Sequence, residues 1–423
     1  MLTPLVLLLT VFAASGLSGC GSSTTISGAI PPTNPTSTPG STNPGNSGGN
    51  GTGTGSSTPA PTASRFAPRF VYALDSSAVA PTGIDEFQIN PETGELTNVG
   101  FASIPSNNAL AGMAAMPMTS YVYVANWTTG TIVTLHADPS TGMLTTIDTM
   151  SVPQIQNVPQ LLIDQAGKFL FLSNPTPNMS SIFVFAIGAT GTLTEVPGSP
   201  FAVSSPVTSL SIDSEDKFLF GASGNEVFGF AIATDGSLTP TPGSPVTVRP
   251  PFENPDKGPT GVAAVVDPQA RFLFVPDTVN PAMYVYTVGL DGVLSLVAGS
   301  PFPTGVAGFA PAVDPLGRFV FLGSFGAAQV AALAVNQSTG AVSPAPGSPY
   351  DNGPYRSGGT PVFQAQVDPS ANFVLFADSE ETKITVFAIN QTTGALTNVS
   401  GSPFLAAQEP LGGGSPTTLA ITH

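Results

Sequence analysis

Asn90-Pro-Glu-Thr-Gly-Glu-Leu96 is the first of seven hairpin-turn segments that recur along the chain and decide its fold. The later copies are Asp138-Pro-Ser-Thr-Gly-Met-Leu144, Ala189-Thr-Gly-Thr-Leu193, Thr234-Asp-Gly-Ser-Leu238, Leu290-Asp-Gly-Val-Leu294, Gln337-Ser-Thr-Gly-Ala-Val342 and Gln391-Thr-Thr-Gly-Ala-Leu396. Successive turn glycines are separated by 48, 49, 45, 56, 48 and 54 residues. A period of about 50 residues with several strands per unit is typical of a β-propeller, so we predict seven blades.

Each repeat predicts a four-stranded blade. In the fourth repeat, apolar runs at 207–212, 218–220 and 227–232 are separated by polar turns. The segment Leu238-Thr-Pro-Thr-Pro follows as an outer strand that tolerates proline, which cannot donate to a ladder. The first repeat has no inner strand before Arg69, whereas residues 415–423 match the inner-strand pattern. We therefore predict an all-β, seven-bladed propeller over residues 65–423, closed by the C-terminal strand.

The N-terminus predicts export and lipid anchoring. Residues 1–20 have a short apolar core at 5–14 and end in Leu17-Ser-Gly-Cys20, which resembles the bacterial lipobox. This predicts cleavage before Cys20 and membrane attachment through that lipidated residue alone; a stray thiol in a discarded signal is the alternative. Residues 21–64 contain no charged or aromatic residue and predict a disordered tether. We expect a location in the cell envelope, at the outer membrane or cell surface.

The charge balance excludes some classes of partner. The formal net charge is −16, which argues against nucleic acid and against direct docking on an anionic membrane. Five aspartates occupy the same turn position in successive repeats, so we interpret them as turn residues rather than a carboxylate cluster. They are Asp164, Asp213, Asp267, Asp314 and Asp368. No Cys and His spacing suits zinc and no carboxylate spacing suits calcium, so we expect no metal or cofactor, and we expect a monomer.

Candidate site residues lie in the loops between second and third strands and between blades. In a propeller these loops share one face, here called the variable face, and they contain the insertions 247–260, 350–360 and 405–415. We predict a polar mouth for an anionic or sugar-like ligand, with loop solubility and local ion pairs as the alternative. The predicted ligand-binding residues are Asn126, Trp127, Lys257, Asp277 and Tyr355, and the candidate catalytic residues are Arg249, Glu253, Arg356 and Glu409, with Asp256 as a further carboxylate.

The repeated Phe-Leu-Phe second strand, the Thr-Gly-x-Leu turn and the Gly-Ser-Pro-Phe segment resemble lactonase-type seven-bladed propellers. That family includes propeller-type 6-phosphogluconolactonase and fungal carboxymuconate cyclase. The resemblance implies a lactone hydrolase, but active members carry a Pro-His-x-His-like motif that is absent from Gln156-Asn-Val-Pro-Gln-Leu-Leu-Ile163. Tyr121-Val-Tyr-Val-Ala-Asn126 is also similar to repeats of surface-layer propellers, which are binding or structural proteins.

Two functional hypotheses follow. The first is a surface-tethered binding propeller whose variable face takes a carbohydrate, peptide or protein, with Trp127 stacking on a sugar or lactone ring or simply covering a blade edge. The second is an exported lactone hydrolase. There, Arg356 or Arg249 would hold an oxygen of the lactone, and Glu253, Asp256 or Glu409 would activate water.

Overall fold

The computed structural model of the protein describes a seven-bladed propeller without helices in the residues it covers. These are residues 70–75, 82–104, 110–116, 120–155, 160–176, 180–248, 263–324, 327–352, 362–378, 383–406 and 416–422. In the part so described, no helix has the length and apolar character of a membrane span. All of these residues belong to one compact unit, Pro59–His423.

Blades 1 and 2 each contain four antiparallel strands. Blade 1 is formed by β1 (Phe70–Asp75), β2 (Gly83–Ile89), β3 (Leu96–Ser103) and β33 (Pro416–Thr422), in the order β3-β2-β1-β33. Blade 2 is formed by β4 (Leu110–Ala115), β5 (Tyr121–Asn126), β6 (Thr131–Ala137) and β7 (Leu144–Ser151). The innermost strand of blade 1 is therefore the C-terminal strand, as the sequence predicts.

Blades 3 to 7 have the same four-strand order and a fifth, two-residue strand. Blade 3 contains β8 (Leu161–Ile163), β9 (Phe169–Asn174), β10 (Ser181–Ile187), β11 (Leu193–Glu195) and β12 (Phe201–Ala202). Blade 4 contains β13 (Ser209–Ile212), β14 (Phe218–Ser223), β15 (Glu226–Ile232), β16 (Leu238–Pro240) and β17 (Val246–Thr247). Blade 5 contains β18 (Val265–Val266), β19 (Phe272–Pro276), β20 (Ala282–Val288), β21 (Leu294–Leu296) and β22 (Phe302–Pro303). Blade 6 contains β23 (Gly308–Val313), β24 (Phe319–Ser324), β25 (Gln329–Val335), β26 (Val342–Pro344) and β27 (Tyr350–Asp351). Blade 7 contains β28 (Val362–Val367), β29 (Phe373–Asp378), β30 (Lys383–Ile389), β31 (Leu396–Asn398) and β32 (Phe404–Leu405).

The fifth strands refine the prediction of a single outer strand. In blades 3 to 7 the outer strand is three residues long, and a Gly-Ser-Pro turn with a cis Ser-Pro bond then returns the chain to the third strand. The turn serine accepts a hydrogen bond from a main-chain N–H in the middle of that third strand, for example Ser199 from Val184 at 3.1 Å. The predicted insertions therefore begin inside short strands, since β17, β27 and β32 include Thr247, Tyr350 and Leu405.

The hydrophobic core consists of seven layers, one at each blade junction. The first aromatic residue of each second strand also packs on the hairpin-turn glycine of the next blade. Phe70 lies against Gly142, and Phe373 of blade 7 lies against Gly94 of blade 1, which closes the circle. These glycines have positive φ values, 75° at Gly94 and 76° at Gly142, and a Cβ there would lie within 2.6 Å of a ring carbon. Both conditions require glycine.

The Asp turns join the first and second strands on the face of the ring opposite to the variable face. In each described turn one carboxylate oxygen accepts the N–H of the first aromatic residue of the second strand, as Asp213 does from Phe218 at 2.8 Å. The turns also contact one another, because Asp216 accepts from Gln165 N at 2.7 Å and from Ala166 N at 3.0 Å across the junction of blades 3 and 4. The aspartates are therefore structural turn residues, as the sequence predicts.

Candidate functional site

The sequence predicts that all of the site residues lie on the variable face, but many of them are outside the described residues. The stretches 249–262, 353–361 and 407–415 are not described. Every candidate catalytic residue and two of the candidate ligand residues therefore lie outside the described part of the chain. These are Arg249, Glu253, Asp256, Lys257, Tyr355, Arg356 and Glu409. The described part of this face includes Asn126, Trp127 and Asp277, and its geometry rests on the ends of the second strands.

A ring of seven buried polar residues underlies the variable face. The sixth residue counted from the start of the second strand is polar in every blade, and each of these residues is at most 9% exposed. They are Asp75, Asn126, Asn174, Ser223, Asp277, Ser324 and Asp378. Only two of them were among the predicted site residues. An alignment of the second strands of the seven repeats would have identified the other five residues. In each repeat the apolar run of the second strand ends on a polar residue at the same position.

Asn126 and Asp277 close turns rather than face an open site. The Asn126 side-chain oxygen accepts from Thr128 N at 3.2 Å and Thr129 N at 3.1 Å. Asp277 accepts from the main-chain N–H of Val279 and Asn280 at 2.8 and 2.9 Å. Both residues are therefore on the predicted face, but their side chains are already used to fix the loops that join the second and third strands.

Trp127 is presented by one of these fixed turns. It follows Asn126 in the turn between β5 and β6, and 37% of its surface is exposed. The hydroxyls of Thr129 and Thr131, in the same turn, form a hydrogen bond with each other at 2.7 Å. A tryptophan on a rigid turn, beside exposed hydroxyls, offers a stacking surface with little conformational entropy to lose on binding.

A buried ion pair lies where the second and third of the predicted insertions meet blade 7. The Lys383 Nζ atom is 3.8 Å from Asp378 Oδ2, and both residues are buried. Asn352, which follows the last short strand of blade 6, donates from Nδ2 to the same Asp378 oxygen at 3.4 Å. At the position that corresponds to Asn352, five of the other six blades have an apolar residue, and blade 5 has Thr304. Lys383 was not among the predicted site residues.

Several buried polar atoms on this face have no hydrogen-bond partner among the described residues. They are Thr176 Oγ1, Thr278 Oγ1, Asn352 Oδ1 and Thr385 Oγ1. Each belongs to a residue that is at most 7% exposed. Buried polar atoms in native proteins are normally paired with protein, water or ligand, so these four atoms are positions where water or a polar ligand would be accommodated.

The inner strands around the channel carry no ionisable side chain in their described residues. Neutral side chains instead link neighbouring inner strands. Ser209 and Ser211 of β13 accept from Ala264 N and Val266 N at 3.1 and 2.9 Å. Gln160 lies in the segment that lacks the histidine motif, and it accepts from Leu210 N of the next blade. Gln160 is therefore a structural link between blades 3 and 4.

The inner strands are irregular on one side of the ring only. Register shifts occur where the inner strands of blades 1, 2, 6 and 7 pair with their second strands, at the end nearest the variable face. The shorter inner strands β8, β13 and β18 of blades 3 to 5 have no such shift. A bulge leaves an extra residue out of the ladder and often lies beside a functional site. The bulges therefore favour the four contiguous blades 6, 7, 1 and 2 as the part of the variable face that contains a functional site.

Two further titratable groups, His136 and Glu86, lie away from this face. His136 contacts Tyr121 edge-on, with ring centroids 5.6 Å apart, at the opposite end of blade 2. Glu86 is buried between blades 1 and 2, where Oε1 accepts from Leu144 N at 2.6 Å, and burial raises the pKa of this carboxyl. Within the described residues, no group of three or more His, Cys, Asp or Glu is arranged to hold a metal ion.

Comparison with known proteins supports the fold and the predicted resemblance. Residues 129–311 match the family model described as "Lactonase, 7-bladed beta-propeller", which confirms the resemblance to lactonase-type propellers. No curated protein has a significantly similar sequence.

Similar solved structures share the propeller at low sequence identity. A Bacteroides uniformis protein provisionally assigned as a 6-phosphogluconolactonase has 16% identity and a TM-score of 0.64, over 84% of this chain and 99% of its own. A Bacteroides fragilis protein with the same provisional assignment has 17% identity and a TM-score of 0.64, over 86% and 99%. The periplasmic gluconolactonase of Pseudomonas aeruginosa has 18% identity and a TM-score of 0.63, over 84% and 98%. At these identities the likeness shows the fold.

Proposed function

We propose that this protein is an exported, lipid-anchored propeller that binds a carbohydrate, peptide or protein ligand on its variable face. The observation that carries the proposal is the presence of an exposed, turn-fixed Trp127 in blade 2 together with buried polar atoms, in blades 3, 5, 6 and 7, that have no hydrogen-bond partner among the described residues. Aromatic surface and unsatisfied polar groups are the features by which a preformed site recognises a polar ligand. The lipobox-like segment ending at Cys20 supports attachment to the cell envelope.

The neutral inner strands favour binding over hydrolysis at the channel. A general base needs an ionisable side chain within hydrogen-bond reach of the attacking water. The described inner strands offer serine, threonine and glutamine, and Ser209, Ser211 and Gln160 are already used to link blades. On the described part of the face, Asp277 caps a turn and Asp378 is paired with Lys383.

An exported lactone hydrolase is the second candidate function. It is favoured by the structural likeness to a Pseudomonas aeruginosa protein named as a periplasmic gluconolactonase, which is both a lactonase and an exported protein by name. In this chain Arg356 or Arg249 would hold the lactone oxygen, and Glu253, Asp256 or Glu409 would activate water.

The sole tryptophan makes the binding proposal directly testable. Because the chain contains one Trp, any change in tryptophan emission on adding a ligand reports on Trp127 and the variable face. We would titrate the protein with a panel of oligosaccharides and follow emission and heat. Trp127→Ala should weaken binding of a true ligand by at least about tenfold, the usual range for loss of a stacking aromatic. Leu290→Ala, a fully exposed residue on the opposite face, is the matched control.

Lactone hydrolysis is measured in parallel as acid release from neutral and acidic lactones. Turnover that Arg356→Ala or Glu253→Ala abolishes would establish the second candidate function and displace the first. Absence of turnover, together with a ligand that quenches or shifts the Trp127 emission, is the result expected here. Labelling with a radioactive fatty acid, lost on Cys20→Ser, tests the lipid anchor.

A further inference from the structure

The outer edges of five blades are interrupted. In blades 3 to 7 the outer strand ends after three residues at a Gly-Ser-Pro turn, and three of these strands or their short successors contain proline. Short strands and proline on an edge prevent pairing with other chains. The interruptions are the cis peptide bonds Ser199-Pro200, Ser244-Pro245, Ser300-Pro301, Ser348-Pro349 and Ser402-Pro403.

Blade 2 has a long and uninterrupted outer edge. Strand β7 is eight residues long, Leu144–Ser151, and contains neither proline nor glycine. Five consecutive residues, 145–149, are exposed, and β7 is the outermost strand of its sheet. Its composition, Leu-Thr-Thr-Ile-Asp-Thr-Met-Ser, is rich in the β-branched residues that favour strands.

The other long outer strand is less available. Strand β3 of blade 1 also has eight residues, but it contains Gly100, and residues 99–102 are buried or half-buried. Strand β7 instead exposes an apolar side chain. A register shift opposite Thr134 and Leu135 leaves Ile147 outside the ladder with β6, and 47% of Ile147 is exposed. Both long outer strands have a register shift, and β7 differs from β3 in having five consecutive exposed residues, 145–149, and no glycine.

The charges around β7 indicate the chemistry of a partner. Residues 70–151, which include all described residues of blades 1 and 2 except β33, contain seven Asp or Glu and no Lys or Arg. Four of these acids are exposed, namely Glu92, Glu95, Asp138 and Asp148, and Asp148 lies on β7 itself. A basic segment would be attracted to this part of the ring, whereas an acidic segment, or a second copy of a chain with net charge −16, would be repelled.

We propose that β7 is a docking edge that accepts an extended, basic segment of a partner protein as an added strand. Main-chain hydrogen bonds along Leu144–Ser151 would supply the affinity, and Lys or Arg side chains facing Asp148 and its acidic neighbours would supply the preference. This surface is at the outer rim of blade 2 and is separate from the variable face. Its occupant therefore does not depend on the ligand proposed above.

The test uses the full protein and three labelled probe peptides. The first is an eight-residue peptide composed of Thr, Val and three Lys residues. The second has Glu in place of Lys, and the third is the Lys peptide N-methylated at alternate residues, which keeps the charge but cannot add to an edge. Fluorescence anisotropy should show binding of the first peptide, and at least tenfold weaker binding of both others. Equal binding of the N-methylated peptide would show that charge attraction alone accounts for binding of the Lys peptide, and it would overturn the proposal.

Two matched variants locate the edge. Ile147→Lys adds a charge that blunts β7, and Leu296→Lys does the same on β21, the outer strand of blade 5, where the side chain is 53% exposed. Binding of the basic peptide should fall at least tenfold with the first variant and stay unchanged with the second. An equal effect of both, or no binding by the unchanged protein, overturns the proposal. Sedimentation that shows a dimer lost on Ile147→Lys would assign the edge to a second copy and overturn the partner proposed here.

Discussion

The fourth residue of each Asp turn affects the stability of the protein through its backbone conformation. The fourth turn residue has a left-handed backbone in every described turn, with φ of 68° at Gly317 and 61° at Ala371. A non-glycine residue pays about 1–2 kcal/mol for this conformation, partly offset by glycine's greater freedom when unfolded. We therefore expect Ala371→Gly to raise the free energy of unfolding by up to about 1 kcal/mol, as measured by urea denaturation.

The reverse change at Gly317 is the matched comparison. A Cβ at this position would lie 2.8 Å from Gln269 Oε1 and 3.0 Å from Arg271 Nη2, in addition to the unfavourable φ. Gly317→Ala should lower the free energy of unfolding by about 1–2 kcal/mol. If the two substitutions changed stability in the same direction, the left-handed backbone would not be what governs these turns.

Glu86 provides a pH prediction at the same scale. Burial raises the pKa of Glu86, and its hydrogen bond from Leu144 N only partly opposes that effect. The folded protein therefore holds this proton more tightly than the unfolded chain, whose Glu pKa is about 4.3. Stability supplied by this group is present below that value and is lost as pH rises through the folded pKa.

Glu86→Gln should therefore flatten the fall in stability between acidic and neutral pH. The measurement is the free energy of unfolding across a pH series, compared as the difference between variant and unchanged protein, so that other buried acids cancel. Glu92→Gln, an exposed residue of the same blade, is the control and should leave the slope unchanged. A Glu86→Gln slope equal to that of the unchanged protein would contradict the assignment.

At the scale of elements, hydrogen-bond networks centred on an arginine join neighbouring blades, and we call each network an arginine bracket. Arg318 donates from Nε to Asp314 at 2.9 Å and reaches across to blade 7, where Nη2 donates to Gln391 Oε1 at 2.9 Å. The Gln391 amide in turn donates to Ala371 O at 2.7 Å. Blades 5 and 6 have the same arrangement with Arg271 and Gln337. Each bracket fixes a turn of one blade against the hairpin of the next.

A double-mutant cycle of Arg318→Ala and Gln391→Ala tests this coupling. Because the two side chains share one network, we expect their effects on unfolding to be non-additive by about 0.5–1.5 kcal/mol. The same cycle with Lys217→Ala and Gln391→Ala supplies the control, since Lys217 pairs locally with Glu215 in blade 4. Additive effects in the Arg318 cycle would show that the bracket carries no coupling.

Element-level features differ in how far sequence could predict them. Second strands and hairpins were predictable because Phe-Leu-Phe and the turn glycines repeat with fixed spacing. The two-residue strands such as β12 and β17 were not, because they are held by cis Ser-Pro turns and side-chain serine caps rather than by a strand-length apolar pattern. The inner strands were only partly predictable, since those of blades 3 to 5 are two to four residues long.

At the scale of the whole molecule, the sequence predicts a face for the site but not the geometry of its side chains. Asn126 and Asp277 lie where second strands end, in the loops from which the variable face was predicted, but their side chains cap turns, a role that depends on main-chain geometry. The neutral ring of inner strands and the buried Asp378–Lys383 pair arise from alignment of blades in space. The four candidate catalytic residues lie outside the described residues, so their assignment stays a prediction.

Ring closure through the C-terminus yields the last prediction. Strand β33 pairs with β1 from Phe70↔Thr422 to Asp75↔Pro416, and Leu419 is buried in the layer between blades 7 and 1. Without β33, blade 1 loses its inner strand and that layer opens. Since each blade is stabilised by its neighbours, the loss should spread around the ring. Deleting residues 416–423 should therefore lower the melting temperature of the entire propeller, followed by circular dichroism.

Two further measurements separate closure from general damage by truncation. A synthetic peptide of residues 415–423, added to the truncated protein, should restore much of the lost stability because it can refill the gap beside β1. Leu419→Ala keeps the strand and removes only its buried side chain, so it should cost about 2–4 kcal/mol, less than the deletion. A truncated protein that melts like the full chain would refute closure by β33. A peptide without effect would mean that strand and ring must form together in one chain.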